Sequence, residues 1–471
     1  MAALMDKIFN TEKILKPEHR TGEPLPPGSE ICSILLKTAW PSIVETFMLT
    51  LISLADVKMV SNLGKEAIAA VNLTNQPRFI LLAVFNALNV GVTAIVSRKR
   101  GQGDKEGANR ILRQILLLYA LLAAVLSVLS VIFAEPIMKF AGAQPDYLGL
   151  GVTYFRIVIG GIIFNVLNLG INAVQRGVGN TKIAMKTNVA ANLVNLVLNY
   201  LLIEGHFGFP RLEVAGAAIA TTIGFVVAFA MSLTAVLRHS EFLQLRFNES
   251  FRLRWSDMKS ICIIGSSAGV EQICMRIGFF IFAKIVTSLG TVAYATHSIC
   301  QNLNHLSFCF GDGLAVAAGA LLGQSLGRKR TDIAALYGHI SARIGMAMGL
   351  GLTAFMVVFG RQLVMLFSTE AEILDLGGRI TYIMALLCPL QAAQVVFSNC
   401  LRVAGDVKYT TRVSFFCITF VRTISAYIFC ILLDLGVMGA WYSFLLDQSL
   451  RFILHGIRYY SGKWRSIKVD A

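Results

Sequence analysis

Long apolar stretches recur along the chain and are separated by short polar segments. A helix needs roughly 20 residues to cross ~30 Å of hydrocarbon. The stretches are rich in Leu, Ile, Val and Ala, and they lack the alternation over ~10 residues that is typical of membrane strands. The pattern predicts an all-α membrane protein with twelve transmembrane helices. We place them near residues 34–60, 68–96, 111–133, 150–175, 183–204, 214–236, 259–286, 294–323, 336–360, 376–401, 409–433 and 436–457.

Basic residues then predict the orientation of these helices. Of the 471 residues 55% are hydrophobic and 15% are charged, and the formal net charge is +15. Lys and Arg are concentrated after even-numbered helices, for example at 98–100 and 328–330. Because positive loops stay in the cytoplasm, we expect the even-numbered loops and both termini to be cytoplasmic, in a multi-pass protein of the plasma (inner) membrane. The basic charge then reflects the topology of a protein in a lipid bilayer, and we expect no nucleic-acid partner.

The chain repeats itself at an offset of 226 residues from helix 1 into the loop after helix 4. Glu45 matches Glu271, and Arg176 matches Arg402. Each repeat has six helices, an even number, so both enter the membrane in the same orientation. We therefore predict two six-helix lobes related by pseudo-twofold symmetry along the membrane normal, the geometry of alternating access. The predicted parts are a cytoplasmic segment (1–33), the N-terminal lobe (34–236), a cytoplasmic linker (237–257), the C-terminal lobe (258–457) and a basic tail (458–471).

The energy source is predicted to be an ion gradient. The sequence contains no GxxxxGK[ST] phosphate loop and no soluble stretch long enough for a nucleotide-binding domain. The nine cysteines include no CxxC pair. We expect no catalytic residue, no metal site and no cofactor, with a proton or a sodium ion as the coupling ion.

Charged residues within the predicted helices are candidates for coupling, because a charge at the bilayer centre costs about 2.5 to more than 10 kcal/mol. Arg422 and Asp447 are interpreted as a structural ion pair between adjacent helices. Glu45 and Glu271 have symmetric places, which suit either the lobe interface or transport. The full set is Glu45, Asp56, Glu271, Arg276, Asp312, Arg422 and Asp447.

Two further features concern helices 5 and 1. Asn188, Asn192, Asn195 and Asn199 share one face of helix 5, since their spacings are four, three and four. Such an amide stripe either joins helices by hydrogen bonds or presents oxygens to a cation or a protonated carboxyl group. Pro41 predicts a bend in helix 1.

The whole chain resembles the multidrug and toxic compound extrusion (MATE) family, and is most similar in style to bacterial DinF-like members. The segments that carry the resemblance are Trp40-Pro41 through Asp56 to Leu63-Gly64, Arg176 to Lys182, Asn195 to Ile203, Glu271 to Arg276, Gly290 to His297 and Gly323 to Gly327. The resemblance implies efflux of small organic, amphipathic or cationic compounds by cation antiport.

Four residues of this sequence match the family's N-terminal coupling site. Asp56 matches its helix 1 carboxylate, Asn172 and Asn195 match its amides, and Thr221 matches its helix 6 hydroxyl. Asn199 stands where many members carry a second Asp. The resemblance therefore implies a proton or cation site with one carboxylate, whose protonation bends helix 1 at Pro41.

A secondary site around helix 7 is less favoured, because the family's glutamate position holds Met275 and Glu271 lies one turn away. The main alternative function is a flippase for lipid-linked saccharides, which would need Arg and Lys in its cavity to hold pyrophosphate. A major facilitator transporter and a membrane enzyme are also considered. The substrate and the choice between proton and sodium stay open, and we expect a monomer.

Overall fold

The structure is a computed structural model that describes residues 2–15, 17–61, 63–238, 242–246, 248–249 and 252–467, without the side chains of 2–4, 53–58, 60–61, 65, 257 and 306–307. This part contains no strand, and the predicted all-α fold is confirmed. Its twelve long helices are α1 (Gly28–Ser61), α2 (Lys65–Gln102), α3 (Lys105–Ile132), α4 (Pro145–Gly160 and Ile162–Gly177), α5 (Thr181–Glu204), α6 (Glu213–Leu237), α7 (Trp255–Thr287), α8 (Thr291–Gly327), α9 (Thr331–Met365), α10 (Ala371–Ala404), α11 (Val407–Leu432) and α12 (Gly436–Tyr460).

Most of these helices are suited to cross a membrane. In the described residues, eight are long and apolar enough to do so, and α4 makes a ninth if its two parts form one span bent by 46°. The other three, α5, α7 and α12, have 24, 33 and 25 residues. They carry polar side chains such as Asn188, Glu271 and Asp447, which lower their hydropathy. The chain is a multi-pass membrane protein.

The turns between helices show the repeat in their backbone geometry. Gly64 precedes α2 with φ 101°, and Gly290 precedes α8 with φ 103°. Gly179 and Gly405, which follow α4 and α10, have φ 86° and 98°. Glycine adopts positive φ without steric cost, whereas other residues are strained there. The two repeats therefore use the same turns at the same offset.

The structure divides into two compact units, Val44–Cys262 and Met1–Ile43 with Ile263–Ala471. In the first unit, Tyr154, Val158 and Val214 belong to a buried core between α4 and α6. In the second, a larger core includes Met384 of α10 and Trp441 of α12. The division falls within α1, shortly after Pro41, and within α7.

Candidate functional site

A cavity of about 300 Å³ lies inside the first unit, between α2, α4, α5 and α6. Most of the polar side chains on its wall are carboxamides. Tyr154, Thr221 and Arg78 also contribute to it. We call it the asparagine-lined cavity. The eight asparagines on its wall are Asn72, Asn75, Asn165, Asn168, Asn188, Asn192, Asn195 and Asn199.

Helical spacing explains why so many amides meet here. Asn72, Asn75 and Arg78 recur at every third position of α2, so they share a face of that helix. Asn165 and Asn168 are likewise three apart on α4. The stripe on α5 was predicted from the sequence, whereas those on α2 and α4 were not. The signal was present in the same spacing, although each stripe has only two or three members.

Four of the five predicted coupling residues lie on this wall or just behind it. Asn195 donates from Nδ2 to Thr221 Oγ1 at 3.3 Å, and Asn199 donates from Nδ2 to Asn195 Oδ1 at 3.3 Å. Asn172 lies behind the wall, where its Nδ2 donates to Asn168 Oδ1 at 3.1 Å. The structure thus brings four of the five predicted members together. The fifth, Asp56, lies on α1, but its side chain is outside the described residues.

Glu45 connects α1 to the wall of the cavity. Its Oε1 accepts from Arg176 Nη2 and from Asn188 Nδ2, both at 2.6 Å. The Glu45 side chain is only 4% exposed, whereas Arg176 is 31% exposed. Both hydrogen bonds are made to a charged acceptor, which strengthens them, while the other oxygen, Oε2, is buried without a hydrogen-bond partner among the described residues. Since Arg176 lies on α4 and Asn188 on α5, the carboxylate of Glu45 joins α1 to both helices. Asn188 also lines the cavity.

The second repeat contains the same arrangement 226 positions later. Glu271 Oε1 accepts from Arg402 Nη2 at 2.6 Å and from Ser414 Oγ at 2.7 Å. The Glu271 side chain is 4% exposed, and Arg402 is 25% exposed. Glu271 therefore connects α7 to Arg402 of α10 and to Ser414 of α11. The two glutamates hold equivalent sites, one in each unit.

The structure also brings Arg422 and Asp447 together, with a third member that the sequence analysis missed. Arg422 donates to Asp447 Oδ2 from Nη2 and, at 3.1 Å, from Nε. Arg451, one turn after Asp447, donates from Nη2 to Oδ2 at 2.9 Å. Asp312, by contrast, is exposed on α8. In the described part of the chain, no cluster of three or more His, Cys, Asp or Glu could hold a metal ion.

A family model matches both repeats. The model, MatE, covers residues 41–201 and 268–428, which is more than half of the chain. The chain belongs to the MATE family. Members of this family are transporters and not enzymes, so this MATE protein is a transporter.

Individual relatives extend the likeness along the whole chain. The MATE protein is 26% identical over 460 residues to the uncharacterized transporter YisQ of Bacillus subtilis (strain 168), covering 97% of this chain and 98% of that one. It is 25% identical over 437 residues to the probable multidrug resistance protein NorM of Thermotoga maritima, covering 92% and 93%. A solved outward-facing multidrug resistance MATE transporter of the MOP superfamily has a TM-score of 0.85 at 22% identity, covering 93% of this chain and 99% of the other. That structure supports the fold.

Proposed function

We propose that this MATE protein exports small organic molecules by alternating access, in exchange for protons or sodium ions. The observation that carries the proposal is the asparagine-lined cavity, which is lined by four helices of one repeat and is connected to α1 through Glu45. A polar cavity within membrane helices is costly unless it binds something. Asp56 lies eleven residues after Glu45 on the same helix, about 16 Å along its axis.

Coupling is proposed to work through Asp56 and the amides of the cavity. A carboxylate in a low-dielectric site is loaded and unloaded by an ion gradient. Asn172, Asn195, Asn199 and Thr221 supply donors and acceptors that suit either protonation state. Loading Asp56 would change the hydrogen bonds of α1, with Pro41 as the point of bending. The symmetric sites of Glu45 and Glu271 hold α1 and α7 during this change.

The coupling ion is tested by transport into proteoliposomes with a pH gradient and a sodium gradient imposed separately. We expect at least one of two probes, the cation ethidium or the anion p-aminophenyl phosphate, to accumulate against its gradient under one of the two imposed gradients and not under the other. Empty liposomes under the same gradients are the control. Accumulation under neither gradient, with protein shown to be folded and correctly inserted, would contradict the proposed antiport.

The proposed topology has even-numbered loops and both termini in the cytoplasm, in a monomer of the plasma (inner) membrane. Single cysteines at Arg328 and Gly64, in a background without the native cysteines, are expected to label from opposite faces. Arg328 follows α8 in a basic segment, and Gly64 follows α1, so the positive-inside rule assigns only Arg328 to the cytoplasm. Labelling of both from the same side would rule out this topology.

The alternative of a lipid-linked saccharide flippase receives little support from the cavity. Holding a pyrophosphate requires several Arg or Lys side chains. Among the described residues that line the asparagine-lined cavity, Arg78 is the one basic side chain. The family match to transporters of the multidrug type also favours efflux.

A further inference from the structure

Arg78 stands out on the wall of the asparagine-lined cavity because its charge is not balanced within the described residues. Its Nε is buried and has no hydrogen-bond partner there. Arg113, Arg176 and Arg402 also have an unused Nε. Each of them, however, binds a carboxylate through a terminal nitrogen. No such ion pair is formed by Arg78 in the described part of the chain.

The position of Arg78 makes this charge expensive. It is the fourteenth residue of α2, about 20 Å along the helix axis from its first residue. A guanidinium keeps its proton in proteins, so the charge cannot be removed by deprotonation. Ionisable side chains within membrane helices are costly and are usually functional. A function therefore has to account for Arg78.

The fold itself does not require arginine at this place. The residue 226 positions later, in the second repeat, is Asn304, which lies buried on α8. The equivalent helix thus packs with an amide in the same register. Arginine in the first repeat is a feature of its cavity and not of the repeated architecture.

The neighbouring amides are available to a ligand. Within the described residues, the side chains of Asn72, Asn75 and Asn165 form no hydrogen bond, although all three line the cavity. A carboxamide offers two donors and an acceptor but no compensating charge. The volume of about 300 Å³ lies at the lower end of the range of ligand pockets, roughly 300–1,000 Å³. The cavity is therefore polar, positively charged in its described lining, and large enough for a small molecule.

We propose that the asparagine-lined cavity binds small polar molecules through an anionic oxygen group, a carboxylate or a phosphate, and that Arg78 recognises this group. The planar guanidinium fits such groups with two parallel hydrogen bonds. The free amides of α2 and α4 then bind the neutral part of the molecule. This inference rests on the proposed function, because it names the substrate class of the same transporter. It differs from the amphipathic or cationic substrates that the family resemblance implies.

The test uses four probes that share one ring and differ in charge: p-aminobenzoate, p-aminophenyl phosphate, p-aminobenzamide and 4-aminobenzylamine. Their binding to the purified full chain is measured by calorimetry without any gradient. We expect the better of the two acids to bind at least about tenfold more tightly than the amide, which corresponds to one charge-assisted hydrogen bond. The amine is expected to bind most weakly. The ratio between the two acids shows which anionic group the site prefers.

Substitutions connect this preference to Arg78. Arg78→Asn, the residue that the second repeat carries, is expected to remove the preference for acids and leave amide binding unchanged. Arg78→Lys keeps the charge and is expected to retain part of the preference. The matched control is Arg156→Asn, since Arg156 is exposed on α4 of the same repeat and does not line the cavity. Unchanged amide binding shows that the variants are folded.

Two results would overturn the proposal: acids that bind the wild-type protein no more tightly than the amide, or an acid preference that survives in Arg78→Asn. Because binding is measured without a gradient, the outcome is separate from that of the proposed function. If the acids bind through Arg78 but no gradient drives transport, the proposed antiport is wrong, and the proposed anion site at Arg78 is supported. If a gradient drives transport but the amine binds most tightly, the proposed antiport is supported, and the proposed anion site at Arg78 is wrong.

Discussion

Replacement of Asp56 by Asn is expected to abolish uphill transport while the protein still folds and binds its substrate. The substitution keeps the shape of the side chain but removes the group that an ion gradient can load. A pH difference of one unit stores about 1.4 kcal/mol per proton, which supports about tenfold accumulation. The wild-type protein should reach this ratio for each coupled proton. Asp56→Asn should only equilibrate the substrate across the membrane.

The measurement is accumulation in proteoliposomes as a function of the imposed pH difference. Asp146→Asn serves as the matched control, because Asp146 is an exposed acid in the first turn of α4 of the same repeat. It should behave like the wild type. If Asp56→Asn still accumulates substrate with the normal dependence on pH, coupling does not occur at Asp56. Glu271 in the second repeat then becomes the better candidate.

The sequence was sufficient for the helices and for the repeat. Long apolar runs can only be buried in lipid or in a core, so their number and order were readable without a structure. The offset of 226 residues also predicted that Glu45 and Glu271 hold equivalent places. In the structure each accepts from an arginine at the end of the fourth helix of its repeat. Because of the repeat, a prediction made for a residue in one half of the chain also applied to its equivalent in the other half.

The partners of these residues were much harder to predict. Arg402 lies 131 residues from Glu271, and no local spacing indicates which basic residue a buried acid will contact. The asparagine-lined cavity likewise needs four helices, and about 60 residues of chain separate α2 from the second half of α4, so only the longest stripe, on α5, could be predicted. Arg451 is a different case. It follows Asp447 at the i,i+4 spacing of helical ion pairs, so the sequence did contain the signal.

The charge cluster of α11 and α12 leads to the prediction with the largest effect on stability. Asp447 is completely buried, and its partners Arg422 and Arg451 are 1% and 9% exposed. The guanidinium of Arg422 also lies 4.4 Å from the ring centre of Phe444. Asp447→Asn would leave two buried positive charges facing each other without a carboxylate. Removing one partner of a buried ion pair costs about 3–5 kcal/mol, and we expect a loss of this size in the unfolding free energy.

Three comparison variants separate this effect from a general cost of charge removal. Arg451→Gln leaves Asp447 paired one to one with Arg422, so its cost should be much smaller. Glu45→Gln and Glu271→Gln should resemble each other and also cost less than Asp447→Asn, because Arg176 and Arg402 are 31% and 25% exposed, whereas Arg422 and Arg451 are 1% and 9% exposed. Denaturant unfolding in detergent micelles measures all four variants. If Asp447→Asn were as stable as Arg451→Gln, the carboxylate of Asp447 would not be what stabilises the two buried arginines. The aromatic contacts of Arg422 would then have to account for the burial of that arginine.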